Sequence, residues 1–348
     1  MKNTTRILLL AASVFVTGTA LAQPAATPAA GRGAGDGRAS IVWPPGYIEP
    51  GLPQPPYVSA ETPQGTGPHP AIMATLPGAE KFVAYFPADL NALGNKKMPV
   101  MLWANGSCTY VGNKFRHFLT QIASHDYFVL AGGPMSAPDN GKAETITIAS
   151  NNPITNPEAP RVPTPPPAPG APVRALVTHE LLSQGIDWAI AENNRQGSKF
   201  YHKLDTKNIV VSGQSCGGSL TSTFASDKRV KTLMMWSGGT LKQPEGEIND
   251  LLNKPAMLIT GDPRYDVAFW SGIKLYENIK KTPLFYAWRT NMTHLGTYRQ
   301  TDGGELAPIA IAWMDWQLKG DKTASKMFVG DNCTLCTNEH YHVQKRHI

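Results

Sequence analysis

A serine, a histidine and an aspartate spaced far apart along this chain are the residues that could do chemistry together. Gly213-Gln214-Ser215-Cys216-Gly217 sets the serine between two glycines, directly after the apolar run Ile209-Val210-Val211-Ser212 and directly before a stretch of helical character. A strand-to-helix turn of this kind holds its central residue in a strained conformation, and the glycines let chain segments pass where a Cβ would collide. The hydroxyl is then exposed at a helix N-terminus, whose dipole favours developing negative charge. A hydroxyl is a poor nucleophile at its own pKa, so it needs a base and a group to orient that base.

Both follow in the order that a serine in this setting requires, acid first and histidine later. Asp266 lies in the loop Gly261-Asp262-Pro263-Arg264-Tyr265-Asp266 after the apolar run 255–260, and His294 lies after the run 283–288. Of the nine histidines only His294 falls between the last expected strand and the last expected helix. His125 ends an amphipathic helix, where partnering the helix terminus is the plainer role, and His340, His342 and His347 read as tail residues. Asp262 competes for the acid role, but between Gly261 and Pro263 a turn-forming Asp is expected in any case. An oxyanion needs two backbone N–H donors. Cys216, next after the nucleophile, supplies one, and the loop Asn105-Gly106-Ser107-Cys108-Thr109-Tyr110 supplies the other through Ser107, with Gly106 making the turn.

The elements that must position these residues are legible as short apolar runs bounded by Gly or Pro. Runs at 71–75 and 81–86 suggest a hairpin, followed by strands at 99–104, 127–131, 208–212, 230–236, 255–260 and 283–288. Helices are expected around 115–122, 176–192, 218–226, 267–280 and 305–318, the last with Pro308 in its first turn. Strands alternating with helices after an opening hairpin imply an α/β fold with a mostly parallel central sheet, helices on both faces and an N-terminal antiparallel hairpin. Function then belongs beyond the carboxyl ends of the strands. Trp103, Tyr110, Gln214, Trp236, Tyr265 and Phe269 fall in or beside those loops and are expected to line a pocket for substrate, with an ordinary core position as the alternative for each.

Residues 1–22 read as an export signal, with Lys2 and Arg6, the apolar run Ile7 to Val16 and the small-x-small site Ala20-Leu21-Ala22. Residues 23–64 form a Pro/Ala/Gly-rich flexible segment, and 65–348 one domain. That domain contains a Pro-rich insertion at 134–172, placed to cover the site, and a Cys-containing tail at 320–348. With 41% hydrophobic residues the chain is too apolar for disorder throughout. Removing the signal lowers the formal charge from +6 to 30 − 26 = +4, with no dense basic run outside Lys345-Arg346-His347, which argues against nucleic acid as a partner. No later apolar stretch reaches the roughly 18 residues of a membrane helix.

These residues and motifs resemble the α/β-hydrolase superfamily, specifically its secreted serine esterases, the branch of dienelactone-hydrolase-like proteins and bacterial cutinase-like polyester hydrolases, over about residues 65–320. The resemblance implies the α/β-hydrolase fold and a Ser215–His294–Asp266 triad, with Asp266-Val267-Ala268 matching the family's acid loop better than Asp262 does. It also implies ester cleavage through an acyl-enzyme, with a small or polymeric ester as substrate and no cofactor. Gln214 and Cys216 depart from the polyester hydrolases, which carry an aromatic residue or His before the serine and Met after it. A peptidase or acyltransferase using the same triad, or a non-catalytic envelope or binding protein, are the alternatives. Export puts the four cysteines where disulfides persist. Cys108 and Cys216 belong to loops that this fold brings together, so a Cys108–Cys216 disulfide is expected, with Cys333–Cys336 as the local second pair; two packed thiols are the alternative. The spacing Cys333-x-x-Cys336-x3-His340-x-His342 is too tight for a zinc finger, and no metal is expected.

Overall fold

A computed structural model describes residues 61–137, 175–239 and 254–348. The export signal, nearly all of the flexible segment and the insertion beyond residue 137, with its covering role, lie outside the described residues. The described strands are β1 (Ala71–Ala74), β2 (Phe82–Pro87), β3 (Met98–Ala104), β4 (Phe128–Gly132), β5 (Leu204–Gln214), β6 (Val230–Trp236), β7 (Ala256–Thr260), β8 (Leu284–Arg289) and β9 (Tyr341–Arg346). They form one nine-stranded sheet in the order β1-β2-β4-β3-β5-β6-β7-β8-β9. From β4 through β8 neighbouring strands are parallel, while β1 and β2 at one edge and β9 at the other run antiparallel to their neighbours.

Strands covered on both faces need no polar side, and every residue of β3 (MPVMLWA) and β7 (AMLIT) is buried. The described α-helices are α1 (Arg116–Ser124), α2 (His179–Asn194), α3 (Cys216–Thr221), α4 (Phe269–Asn278), α5 (Leu306–Lys319) and α6 (Lys322–Ser325). Successive β3 side chains point to opposite faces. Trp103 packs on Phe115 and on Phe118 of α1 at ring distances of 5.1 and 5.3 Å, whereas Leu102 meets Gly185 of α2, where a Cβ would come within 2.8 Å. Phe118, Leu119 and Ile122 of α1 join Ile309, Trp313 and Met314 of α5 in a single buried cluster on the Trp103 face.

The tail expectation needs correcting at its end. Tyr341–Arg346 is an edge strand, with Leu284 opposite Arg346 and Trp288 opposite His342. Its sequence, YHVQKR, has no apolar run because an edge strand with half-exposed residues needs none, and its basic residues discourage further strand pairing. The His342 ring stacks on Trp288 at 3.7 Å. No helix among the described residues is long and apolar enough to cross a membrane.

Candidate active site

β5 ends at Gln214, α3 begins at Cys216, and Ser215 between them has φ 58° and ψ −121°. That backbone is strained for a side chain of any size and turns the serine outward. Ser215 N donates to Trp236 O at 2.8 Å, and Ser215 O accepts from Ser219 N at 2.9 Å, which fixes the turn from both sides. The glycines are sterically required: a Cβ on Gly217 would lie 2.0 Å from Ala104 O, and one on Gly213 would lie 2.4 Å from Gly217 O.

His294 sits on the loop after β8, anchored by its N–H to Tyr265 O at 3.0 Å. Its Nε2 lies 2.8 Å from Ser215 Oγ and its Nδ1 lies 2.7 Å from Asp266 Oδ1. Asp266 is fully buried on the loop after β7, and its carboxylate also accepts from Gly261 N at 2.6 Å and Ala268 N at 2.8 Å. Burial alone would raise the Asp266 pKa, but the neighbouring His294, as charge and as donor, and the two backbone N–H groups outweigh it and hold the carboxyl below the ordinary range. A carboxylate fixed as acceptor makes Nδ1 the protonated ring nitrogen, which leaves the Nε2 lone pair to accept from Ser215.

Asp262, the competing acid, does different work. It is fully buried, its carboxylate is bridged by Arg264 (Nε at 2.9 Å, Nη2 at 2.8 Å), and it accepts from Asn291 N at 2.8 Å. It therefore ties the loop carrying Asp266 to the loop carrying His294.

The loop after β3 reaches the serine from the other side. Ser107 and Cys108 both adopt positive φ, 54° and 47°. A disulfide joins Cys108 to Cys216, with Cα atoms 5.2 Å apart, so the two loops expected to supply oxyanion donors are covalently tied. A second disulfide joins Cys333 to Cys336. Asn105, fully buried, organises the loop: its Nδ2 donates to Thr109 O (2.9 Å), Val111 O (2.8 Å) and Gly132 O (3.1 Å), and its Oδ1 accepts from Trp103 Nε1 at 3.0 Å. The backbone N–H of Cys216, first in its helix, has no carbonyl four residues back within that helix. Among the described residues no group of three His, Cys, Asp or Glu side chains is placed to hold a metal ion.

No protein-family model matches the chain, and no curated protein matches it.

The site geometry brings Ser215, His294, Asp266, Cys216 and Ser107 to the carboxyl end of the sheet, but it does not assemble the expected aromatic pocket. Trp103, Trp236 and Phe269 are fully buried. Trp103 belongs to the core beneath Asn105, Trp236 donates from Nε1 to Ser212 Oγ at 3.0 Å, and Phe269 packs edge-on against Trp288 at 5.8 Å. Large apolar rings beside a sheet gain more from the core than from a solvent-facing wall. Gln214 is also buried, with 4% exposure, and is occupied by protein partners. Only Tyr110 and Tyr265 of the six remain partly exposed. The residues missed in the sequence are Asn105 and Arg264. Asn105 had a signal, a polar residue directly after a wholly buried strand, whereas the pairing of Arg264 with Asp262 depended on loop geometry.

Proposed function

We propose that the chain is a serine hydrolase of the α/β-hydrolase type that cleaves carboxylic esters through an acyl-enzyme intermediate. The observation that carries the reading is the unbroken relay from Ser215 Oγ through the His294 ring to buried Asp266, mounted on a strained strand-to-helix turn. Ser215 Oγ attacks the ester carbonyl while His294 Nε2 takes its proton, and Asp266 stabilises the resulting imidazolium without accepting that proton. The backbone N–H groups of Cys216 and Ser107 face the oxyanion. Collapse of the tetrahedral intermediate breaks the C–O bond, and the departing alkoxide takes the proton from His294. Water, deprotonated by the same nitrogen, then attacks the acyl-enzyme, and the acid leaves as Ser215 regains its proton. No step calls for a cofactor. The export signal and two disulfides support a destination outside the cytoplasm.

The test is hydrolysis of p-nitrophenyl acetate together with labelling by a fluorophosphonate, comparing wild type with Ser215→Ala. Wild type is expected to turn over and to label at Ser215, and the variant to do neither, with kcat lower by up to about 10⁶-fold. A wild type that is inert in both assays refutes the reading.

A further inference from the structure

Gln214, immediately before the nucleophile, lies where three of the four loops that build the site meet: its own turn, the loop of Gly106 and the loop of His294. Its Nε2 donates to the backbone carbonyl of His294 at 2.8 Å. Its Oε1 fills the space over Gly106 so closely that a Cβ on that glycine would fall 2.3 Å from it. The next contacts of that Cβ would be Gln214 Cδ at 3.5 Å and Ser215 Cβ at 3.7 Å, so Gln214 is the sole severe obstacle there. Gly106 has an ordinary negative φ, and Ala would suit its backbone. The glycine is required by the Gln214 amide rather than by the turn.

We propose that Gln214 is a positioning residue that couples the oxyanion loop to the histidine loop: seated against Gly106, its amide holds the His294 main chain at the distance from which Nε2 reaches Ser215. This rests on the serine-hydrolase reading above. The His294 N–H is held by Tyr265 and its carbonyl by Gln214, so the peptide groups on both sides of the histidine are pinned. Loss of one pin lets the ring drift, and a displacement of about 1 Å costs on the order of 10²-fold in rate.

Substitutions at Gln214 and Gly106, alone and combined, separate this role from simple packing. Gln214→Met keeps the volume and removes the hydrogen bond; it is expected to lower kcat and the fluorophosphonate labelling rate by about 10- to 100-fold with little change in KM. Gln214→Glu can donate to the His294 carbonyl only when protonated, so its deficit relative to wild type is expected to shrink as pH falls, a trend that packing would not produce. Gly106→Ala forces the amide aside and is expected to mimic Gln214→Ala, whereas in a Gln214→Ala background the same substitution meets nothing closer than 3.7 Å and should cost little more. Labelled wild type with Gln214→Met labelling at the same rate, or a Gly106→Ala cost undiminished in the Gln214→Ala background, overturns the positioning role alone. Wild type that fails to label overturns the hydrolase reading beneath it. If Gln214→Met does not fold, the Glu variant and the Gly106 cycle still decide.

Discussion

Replacing both cysteines of one disulfide by alanine, and then both of the other, perturbs the same chemistry twice across very different lengths of chain. Cys108 and Cys216 are 108 residues apart, and Cys333 and Cys336 only 3. With a cross-link removing about 2.1 + 1.5R ln n cal/mol/K of entropy from the unfolded chain, the long loop is worth ~4.8 kcal/mol at 25 °C and the short one ~1.6 kcal/mol. For a chain of this size, taking a urea m-value of ~3 kcal/mol/M, the midpoint should fall by ~1.6 M for Cys108→Ala/Cys216→Ala and by ~0.5 M for Cys333→Ala/Cys336→Ala. Unfolding followed by tryptophan fluorescence without reductant measures both. Below both midpoints, fluorophosphonate labelling should slow only in the first variant, because only that bond ties the Ser107 loop to the nucleophile turn. Equal midpoint shifts, or the larger shift in the second variant, would refute the loop-length reasoning.

Asp266→Asn should lower kcat by about 10⁴-fold by setting the wrong His294 tautomer. Asp262→Asn should keep most activity while losing about 1–3 kcal/mol of stability, since the NH2 that replaces Oδ2 cannot accept from Arg264 Nη2 or from the Asn291 N–H; the reverse ranking in paired kinetic and urea measurements would assign the acid to Asp262. The depressed pKa of Asp266 stabilises the fold above the ordinary Asp value of ~3.9, and that contribution is lost as pH falls through the lower folded value. Urea midpoints taken from pH 5 downward should therefore fall less steeply in Asp266→Asn than in wild type. Gly217→Ala puts a Cβ 2.0 Å from a backbone oxygen and should cost at least ~3 kcal/mol, whereas Gly94→Ala, with φ +57° and nothing within 4 Å, should cost only ~1 kcal/mol. Similar melting temperatures for the two would contradict this steric assignment.

Much of the frame was legible because parallel strands, buried on both faces, announce themselves as apolar runs. The run at 230–236 coincides with β6, and those at 99–104 and 255–260 fall within a residue of β3 and β7. The turn at Ser215 was legible for a different reason, since glycines flanking a serine between strand and helix reflect a steric need. β9 was not, because an edge strand of polar residues lacks the hydrophobic pattern that marks the others. Nor was the inward placement of Gln214, as a polar side chain reads as surface until its partners are known, and its partners lie on other loops, at His294 80 residues away and at Gly106. The aromatic residues near the strand ends misled in the opposite direction. Position along a strand says which end a ring occupies, but not whether it faces solvent or the layer beneath.

The backbone of Ser215 carries a cost of ~1–3 kcal/mol that glycine at the same position would not bear. Laboratory evolution for heat resistance alone would thus favour a codon change at the one position whose hydroxyl is the proposed nucleophile. A library scored by survival at high temperature should enrich catalytically dead molecules, and any campaign to harden this protein has to select for turnover in the same round.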